Sequence, residues 1–152
     1  MKNCPLCKKG PLHKTDQPDH LDVAGHVFTT SLPALTCEAC GESTIAGPEL
    51  QRFERAAARA LAERGNAGGE AFRFMRKAIG LAANDLAALL GTTPETISRW
   101  ETGKHPLDPM AWRALALLVR EVAAGSTAGL DMLRTSLKAK PLPRRVAVKL
   151  AS

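Results

Sequence analysis

The sequence predicts a mainly α-helical protein with a small β-containing unit at its N-terminus. Residues 1–46 hold all four cysteines in two Cys-x-x-Cys pairs, and the stretch from His26 to Leu32 is rich in Val, Phe and Thr, as strands are. From Gly47 onward, stretches rich in Ala and Leu repeat apolar residues at helical spacing. Glycines stand where such helices would end, at Gly80, Gly91, Gly103 and Gly125.

Composition limits the classes of function. A chain of 152 residues with 45% hydrophobic residues can bury a core, so disorder throughout is not expected. Only 4% of residues are aromatic and there is no tyrosine, which disfavours a base-stacking platform for single strands. The formal charge is +6, with the positive excess in the second half, which suits binding of a polyanion. For residues 138–152 alone, a solvated basic tail is an equal alternative.

The sequence also predicts a cytoplasmic location. No apolar run approaches the length of a membrane span, and Met1 to Asn3 lead straight into Cys4 without the apolar segment of a secretory signal. In a reducing compartment, cysteines are more often metal ligands or catalysts than disulfides.

The cysteine spacing predicts a structural metal site. Two residues between cysteines let a tight turn direct both thiolates to one point, and two such turns supply the four-sulfur cage that zinc prefers. The ligands of one zinc ion per chain would be Cys4, Cys7, Cys37 and Cys40. Without metal, the N-terminal region is expected to unfold. Two disulfides, a redox-active pair or iron are the alternatives, of which disulfides conflict with the expected compartment.

No enzyme is expected. The histidines are His13, His20, His26 and His105, and they lack any recognisable catalytic order with Ser, Asp or Glu. Four sulfurs already complete a tetrahedron, so a histidine is not needed as a ligand and no position stays open for catalysis.

Four regions are predicted along the chain. Residues 1–46 form a zinc-binding domain, and residues 47–69 form a helix followed by a flexible hinge at Gly65–Gly69. Residues 70–138 form a helical domain, and residues 139–152 form a basic tail. Within the helical domain the pattern predicts helices at residues 70–79, 82–90, 93–102 and 109–123, and a weaker one at 128–138.

The segment 82–101 reads as two short helices joined at Gly91, which is a helix-turn-helix. The apolar positions predicted to pack the two helices together and onto the preceding helix are Leu86, Ala87, Leu90, Ile97, Trp100, Phe72, Met75 and Ile79. Thr93 is the expected N-cap of the second helix, with Pro94 after it.

The outward face of that second helix carries Glu95, Thr96, Ser98 and Arg99. Small hydrogen-bonding groups and a guanidinium suit base edges in the major groove of DNA. Arg99 can pair in bidentate fashion with guanine, and its alternatives are a phosphate contact or a surface ion pair.

Residues 72–120 resemble the Cro/repressor-type, or Xre-family, helix-turn-helix, through the pattern Ser98-Arg99-Trp100-Glu101-Thr102-Gly103-Lys104. This resemblance implies a helical bundle like that of lambda repressor and a structural ion pair between Arg76 and Glu101. Ala82-Ala83 replace the Thr-Gln pair with which that family often contacts phosphate. The residues expected to contact phosphate instead are Thr92, Thr93 and Lys104, or His105.

The segment from Leu32 to Glu42 is similar to the zinc-finger domain of MqsA (YgiT-type) antitoxins, which join the same two modules in the same order over residues 1–125. The resemblance implies a type II antitoxin whose zinc domain binds a ribonuclease toxin. It further implies a homodimer that represses its own operon at a palindromic operator. Two departures are Glu95, where that family has an asparagine, and the basic segment 138–149, for which it offers no role.

Two other functions stay open. One is a zinc-containing transcription regulator without a toxin, and the other is a zinc-ribbon factor that binds RNA. The toxin, the operator sequence and any small effector cannot be read from the residues. The position of the dimer interface is also open, because the stripe Leu115, Leu118, Val119 and Val122 suits either the core or an interface, with the core favoured.

Overall fold

A computed structural model describes residues 3–151 and places a three-stranded antiparallel sheet before a bundle of helices. The predicted fold class is confirmed. Residues 1, 2 and 152, at the ends of the predicted zinc domain and tail, lie outside the described residues. The elements are β1 (Leu12–Val23), β2 (His26–Cys37), β3 (Ser43–Ile45), α1 (Gly47–Ala62), α2 (Gly69–Ala78), α3 (Ala83–Leu90), α4 (Pro94–Glu101), α5 (Pro109–Ala123) and α6 (Ala128–Ser136).

The sheet is dominated by a long hairpin. β1 and β2 pair over their full length, from Leu12 opposite Cys37 to Val23 opposite His26. Ala24 and Gly25 form the two-residue turn, both with positive φ, as a tight hairpin turn of this hand requires. The sequence indicates a strand only at His26 to Leu32, whereas β1 and β2 have 12 residues each and β3 has three. Most residues of β1 are polar, including all of residues 13–17, and Pro18 lies on this edge strand, so the sequence lacks the apolar alternation typical of a strand.

Capping residues account for the ends of several helices. Thr93 caps α4 by accepting a hydrogen bond from the Thr96 N–H, and Asp108 caps α5 by accepting one from the Ala111 N–H. Gly91 ends α3 in the left-handed conformation. Each helix agrees with its predicted range to within about two residues. Within residues 3–151, no helix has the length and apolarity needed to cross a membrane.

One apolar core joins the helices. Its largest fully buried side chains are Phe72, Met75, Leu86, Ile97, Leu115 and Val119. Leu118 is buried with them and Val122 is half-buried, so the stripe on α5 faces mainly the core. After α6 the chain forms no helix or strand through Ala151, and these last residues are exposed.

α1 belongs to this core, although the sequence places it before a flexible hinge and outside the predicted helical domain of residues 70–138. Ala58, Leu61 and Ala62 are buried in the same cluster as α2 and α5. Gly69 is the first residue of α2, and a Cβ there would overlap the carbonyl oxygen of Trp100. This glycine therefore allows close packing between α2 and α4. The outer limits of the predicted domains stay predictions.

The tip of the hairpin also enters the helical core. Val23 is only 5% exposed and lies in the same cluster, while Leu21 and Phe28 pack against the cluster from its edge. At the opposite end of the hairpin, Cys37 ends β2, and Cys4 and Cys7 lie in the turn that precedes β1. The sheet is thus attached to the helices at one end and leaves the cysteines at the other.

Replacing Val23 with Ala should lower the free energy of unfolding of the helical region by about 1–3 kcal/mol, because it removes buried methyl groups and leaves a cavity. Urea unfolding followed by tryptophan fluorescence measures this directly, since the two tryptophans, Trp100 and Trp112, both lie in helices. Val27→Ala is the matched control, because Val27 is 64% exposed and its loss should change little. Equal stability of Val23→Ala and the parent chain would contradict the packing.

Candidate metal centre and DNA-recognition surface

The cysteines lie in two turns of similar build. In the first, the Cys4 N–H donates to the Gly10 carbonyl and the Lys8 N–H donates to the Cys4 carbonyl, both at 3.0 Å. In the second, the Cys37 N–H donates to Glu42 and the Gly41 N–H donates to Cys37, both at 2.9 Å. Lys8 and Gly41, four residues after each first cysteine, both have positive φ. The spacing of each pair thus produces the same local turn twice.

The two turns bring all four sulfur atoms together. The ligand atoms of Cys4, Cys7, Cys37 and Cys40 lie within 4.8 Å of one another. The Sγ atoms of Cys4 and Cys40 are 3.8 Å apart, and those of Cys7 and Cys37 are 3.6 Å apart. Sulfurs about 2.3 Å from a tetrahedral ion would be about 3.8 Å from each other. The cluster can therefore hold one metal ion with four sulfur ligands.

The four cysteines are free thiols, and the close sulfur contacts join the two pairs to each other. These contacts are longer than a disulfide bond, which measures about 2.05 Å. Within residues 3–151, no histidine joins the cluster. His13 instead lies 3.9 Å from the exposed carboxylate of Glu38.

The surroundings of Cys7 and Cys40 shift the pKa values of these two thiols in opposite directions. Backbone N–H groups of Lys9 and Gly10 donate to Cys7 and lower its pKa from 9.0 to about 6. At Cys40 the Glu42 N–H acts to lower the pKa, but the neighbouring thiols, chiefly Cys37, raise it to about 12. With its pKa at about 12, the Cys40 thiol keeps its proton at neutral pH when no cation is bound. Metal binding here must release protons, so affinity should fall as the pH falls.

Gly10 is a supporting residue that the spacing of the cysteines does not reveal. A Cβ at Gly10 would lie 2.6 Å from the Ala39 Cβ and 2.9 Å from the Cys37 Sγ. A Cβ cannot lie this close to the Ala39 Cβ and the Cys37 Sγ unless one of the two turns shifts. The first turn can approach the second only because residue 10 has no side chain.

Gly10→Ala should weaken metal binding by roughly 10–100-fold, the range seen when groups that orient metal ligands are altered. The measurement is competition with a chromogenic chelator for Zn²⁺ or Co²⁺. Lys8→Gly is the matched control, since it places glycine at a positive φ in the same turn and should retain or increase affinity. Unchanged affinity in Gly10→Ala would show that the two turns can move apart without loss.

The second candidate site is the exposed face of α4. Glu95, Ser98 and Arg99 on α4, and Thr93 and Lys104 flanking it, are exposed; Thr92 and Thr96 are partly exposed. Thr96 contacts the cap, with its Oγ1 3.0 Å from that of Thr93. In the part of the chain that the structure describes, neither Glu95 nor Arg99 forms an ion pair. Their side chains are therefore available to a partner.

The opposite face of α4 fixes the helix in the core. Ile97 is fully buried, and the ring of Trp100 meets Phe72 edge-on, with centroids 6.2 Å apart and planes at 89°. Leu86 and Ala87 of α3 are also buried. The predicted packing residues Leu90 and Ile79 are partly buried at the edge of the same cluster.

A buried ion pair locks the end of α4 to α2. The Arg76 Nε donates to Glu101 at 2.7 Å and its Nη2 donates to the other carboxylate oxygen at 3.1 Å. The Arg76 Nη1 donates to the Leu81 carbonyl at 2.7 Å, in the turn that leads to α3. Both side chains are 8% exposed. One guanidinium thus joins α2, α4 and the turn before α3.

Arg76→Met should lower the free energy of unfolding by about 3–5 kcal/mol, because it leaves the Glu101 carboxylate buried and unpaired. Thermal and urea unfolding measure the change. Arg73→Met is the matched control, since Arg73 is 4.0 Å from Glu101 but 55% exposed, and should change stability by about 1 kcal/mol or less. A double variant, Arg76→Met with Glu101→Leu, should recover part of the loss, and no recovery would argue against an unpaired charge as the cause.

Comparison with known proteins agrees with this architecture. A family model described as a helix-turn-helix domain matches residues 56–120, from within α1 to within α5. A search of curated proteins found no match. Residues 56–120 are thus similar to helix-turn-helix domains, which indicates DNA binding, and the four-cysteine cluster could bind one metal ion. The match begins inside α1, in accord with the packing of that helix in the core.

Proposed function

We propose that the chain is a sequence-specific DNA-binding transcription regulator that carries one structural zinc ion and acts as a homodimer on a palindromic operator. The observation that supports this most directly is the face of α4. It presents Ser98, Arg99 and Glu95 on a helix held by a buried core and a buried ion pair, and neither Arg99 nor Glu95 pairs with another of residues 3–151.

In this proposal α4 enters the major groove. Arg99 donates to O6 and N7 of a guanine, and Glu95, four residues earlier on the same face, accepts from a cytosine N4. Thr92, Thr93 and Lys104 flank α4 and contact phosphates, which positions the helix without reading sequence. Two such helices about 34–36 Å apart would read two half-sites, and this is the reason for proposing a dimer.

We propose zinc because four thiolates in a tetrahedron match the site that structural zinc prefers. When bound, it would neutralise the thiolates and fasten the open end of the hairpin. Cys4, Cys7, Cys37 and Cys40 would fill every coordination position, so the ion is proposed as structural and the protein as non-enzymatic.

Arg99→Ala should weaken binding by about 1–3 kcal/mol on the duplex that the protein selects from a random pool, and less on random DNA. Lys104→Ala is the companion variant: loss of a phosphate contact should weaken both complexes alike and reduce the salt dependence. Electrophoretic mobility or fluorescence anisotropy at two salt concentrations separates the two effects. Equal losses on both duplexes for Arg99→Ala would remove its base-reading role.

A finer proposal follows from the order of the modules. A four-cysteine unit before an Xre-like helix-turn-helix is the arrangement of MqsA-type antitoxins, so we propose that the cysteine-bearing unit neutralises a ribonuclease toxin and that the dimer represses its own operon. The positions of the cysteines and of α4 support this proposal, because they lie in different parts of the chain. The cysteines lie at the far end of the hairpin from the helical core, whereas α4 packs into that core.

Co-expression with the product of the adjacent reading frame tests the toxin role. The full chain should restore growth that the neighbour arrests, and Arg99→Ala should restore it equally well, because toxin binding does not use α4. Failure of rescue while operator binding persists would leave a regulator without a toxin. Failure of DNA binding with intact rescue would instead remove the regulator proposal.

A further inference from the structure

An apolar groove lies between α5 and α6, away from both sites described above. Its volume is about 670 Å³, and its floor includes Leu118, Leu133 and Ala114. Leu117 and Met132 stand at its mouth, 67% and 68% exposed. None of the residues that line it belongs to α3, α4 or the sheet. Two large apolar side chains exposed beside a groove mark a surface for binding another molecule.

The rim of this groove is basic. Arg59 and Arg120 border it, and an adjoining cavity of about 450 Å³ shares Leu117 and Arg120 while adding Arg64 and Arg113. Arg59 pairs with Glu63 on its own helix, whereas the other three arginines form no ion pair within the described residues. The acidic residue at the rim is Glu121, and both of its carboxylate oxygens accept the Gly129 N–H at 2.9 Å. The rim therefore offers unpaired positive charge around an apolar floor.

The positive charge of the rim argues against two occupants that this protein could itself supply, its C-terminal tail and a second copy of the chain. The tail after α6 is exposed and itself basic, with Lys140, Arg144, Arg145 and Lys149, so the rim repels it. A second copy related by a twofold axis would bring the same surface against itself and set Arg120 near Arg120. Like charges placed together in this way weaken binding by about tenfold or more.

We propose that this groove is the docking site for an acidic amphipathic helix of another protein. Apolar side chains on one face of that helix would enter the groove beside Leu117 and Met132, and its Asp and Glu residues would pair with Arg120, Arg113 and Arg64. The α5 helix has 15 residues, so it spans about 22 Å and can match a partner helix of similar length. The site does not depend on the proposed DNA-binding role.

The test uses the full metal-loaded chain and a fluorescein-labelled synthetic helix of about 18 residues, with Leu at positions i, i+3, i+4 and i+7 and Glu on the other faces. Fluorescence anisotropy should show saturable binding that weakens at high salt. Leu117→Glu and Arg120→Glu should each weaken it about tenfold or more. Both residues are exposed, so the fold should persist, which circular dichroism checks.

Arg134→Glu is the matched control, because Arg134 is exposed on α6 outside the groove and should leave binding unchanged. A peptide with Lys in place of Glu should not bind. No saturable binding, or equal binding of the Lys peptide, overturns the proposal. Conversion of a dimer into a monomer by Leu117→Glu, seen in sedimentation, assigns the groove to a second copy and overturns it. Displacement of the peptide by duplex DNA assigns the surface to DNA and also overturns the proposal.

Discussion

The geometry of the helix-turn-helix depends on the ion pair between Arg76 and Glu101. Two short helices joined by a glycine cannot hold a fixed angle by their own contacts, since each offers only about two turns of apolar surface. Arg76 supplies three hydrogen bonds from the core side, two to the end of α4 and one to the turn before α3. Because both charged groups are almost fully buried, any displacement of α4 would leave a carboxylate without a partner. That penalty holds the exposed face of α4 in place.

Close backbone packing adds a second restraint on the same helix. Gly69 lets the start of α2 lie against the last carbonyls of α4, and Phe72 meets Trp100 one turn further along α2. A glycine-rich segment that looks like a flexible connection in the sequence is thus a place where two backbones touch. α2 therefore restrains α4 in addition to α3, which also packs against it.

The hairpin connects the cysteine cluster to this helical core. Val23 is buried among the helices, and the cysteines hold the other end of the same two strands. A metal ion at the cluster would stabilise the strand pairing, and the strand pairing presents Val23 to the core. The two parts of the chain therefore share stability, although their proposed ligands, a metal ion and DNA, bind at opposite ends.

The sequence by itself determined the local features. Helix limits followed from Thr93, Pro94, Gly91 and the spacing of apolar residues. The cysteine cluster followed from cysteine spacing, because caps, turns and cysteine pairs are made by neighbours in the chain. Tertiary structure decided the rest: the place of α1 in the core, the role of Gly69, the contact of Gly10 with Cys37, and the burial of Val23. These join residues far apart in sequence, and a polar strand such as β1 shows its register only when its partner is present. The physical reason is that packing depends on which surfaces meet, and the periodicity of one segment carries no record of the segment that will cover it.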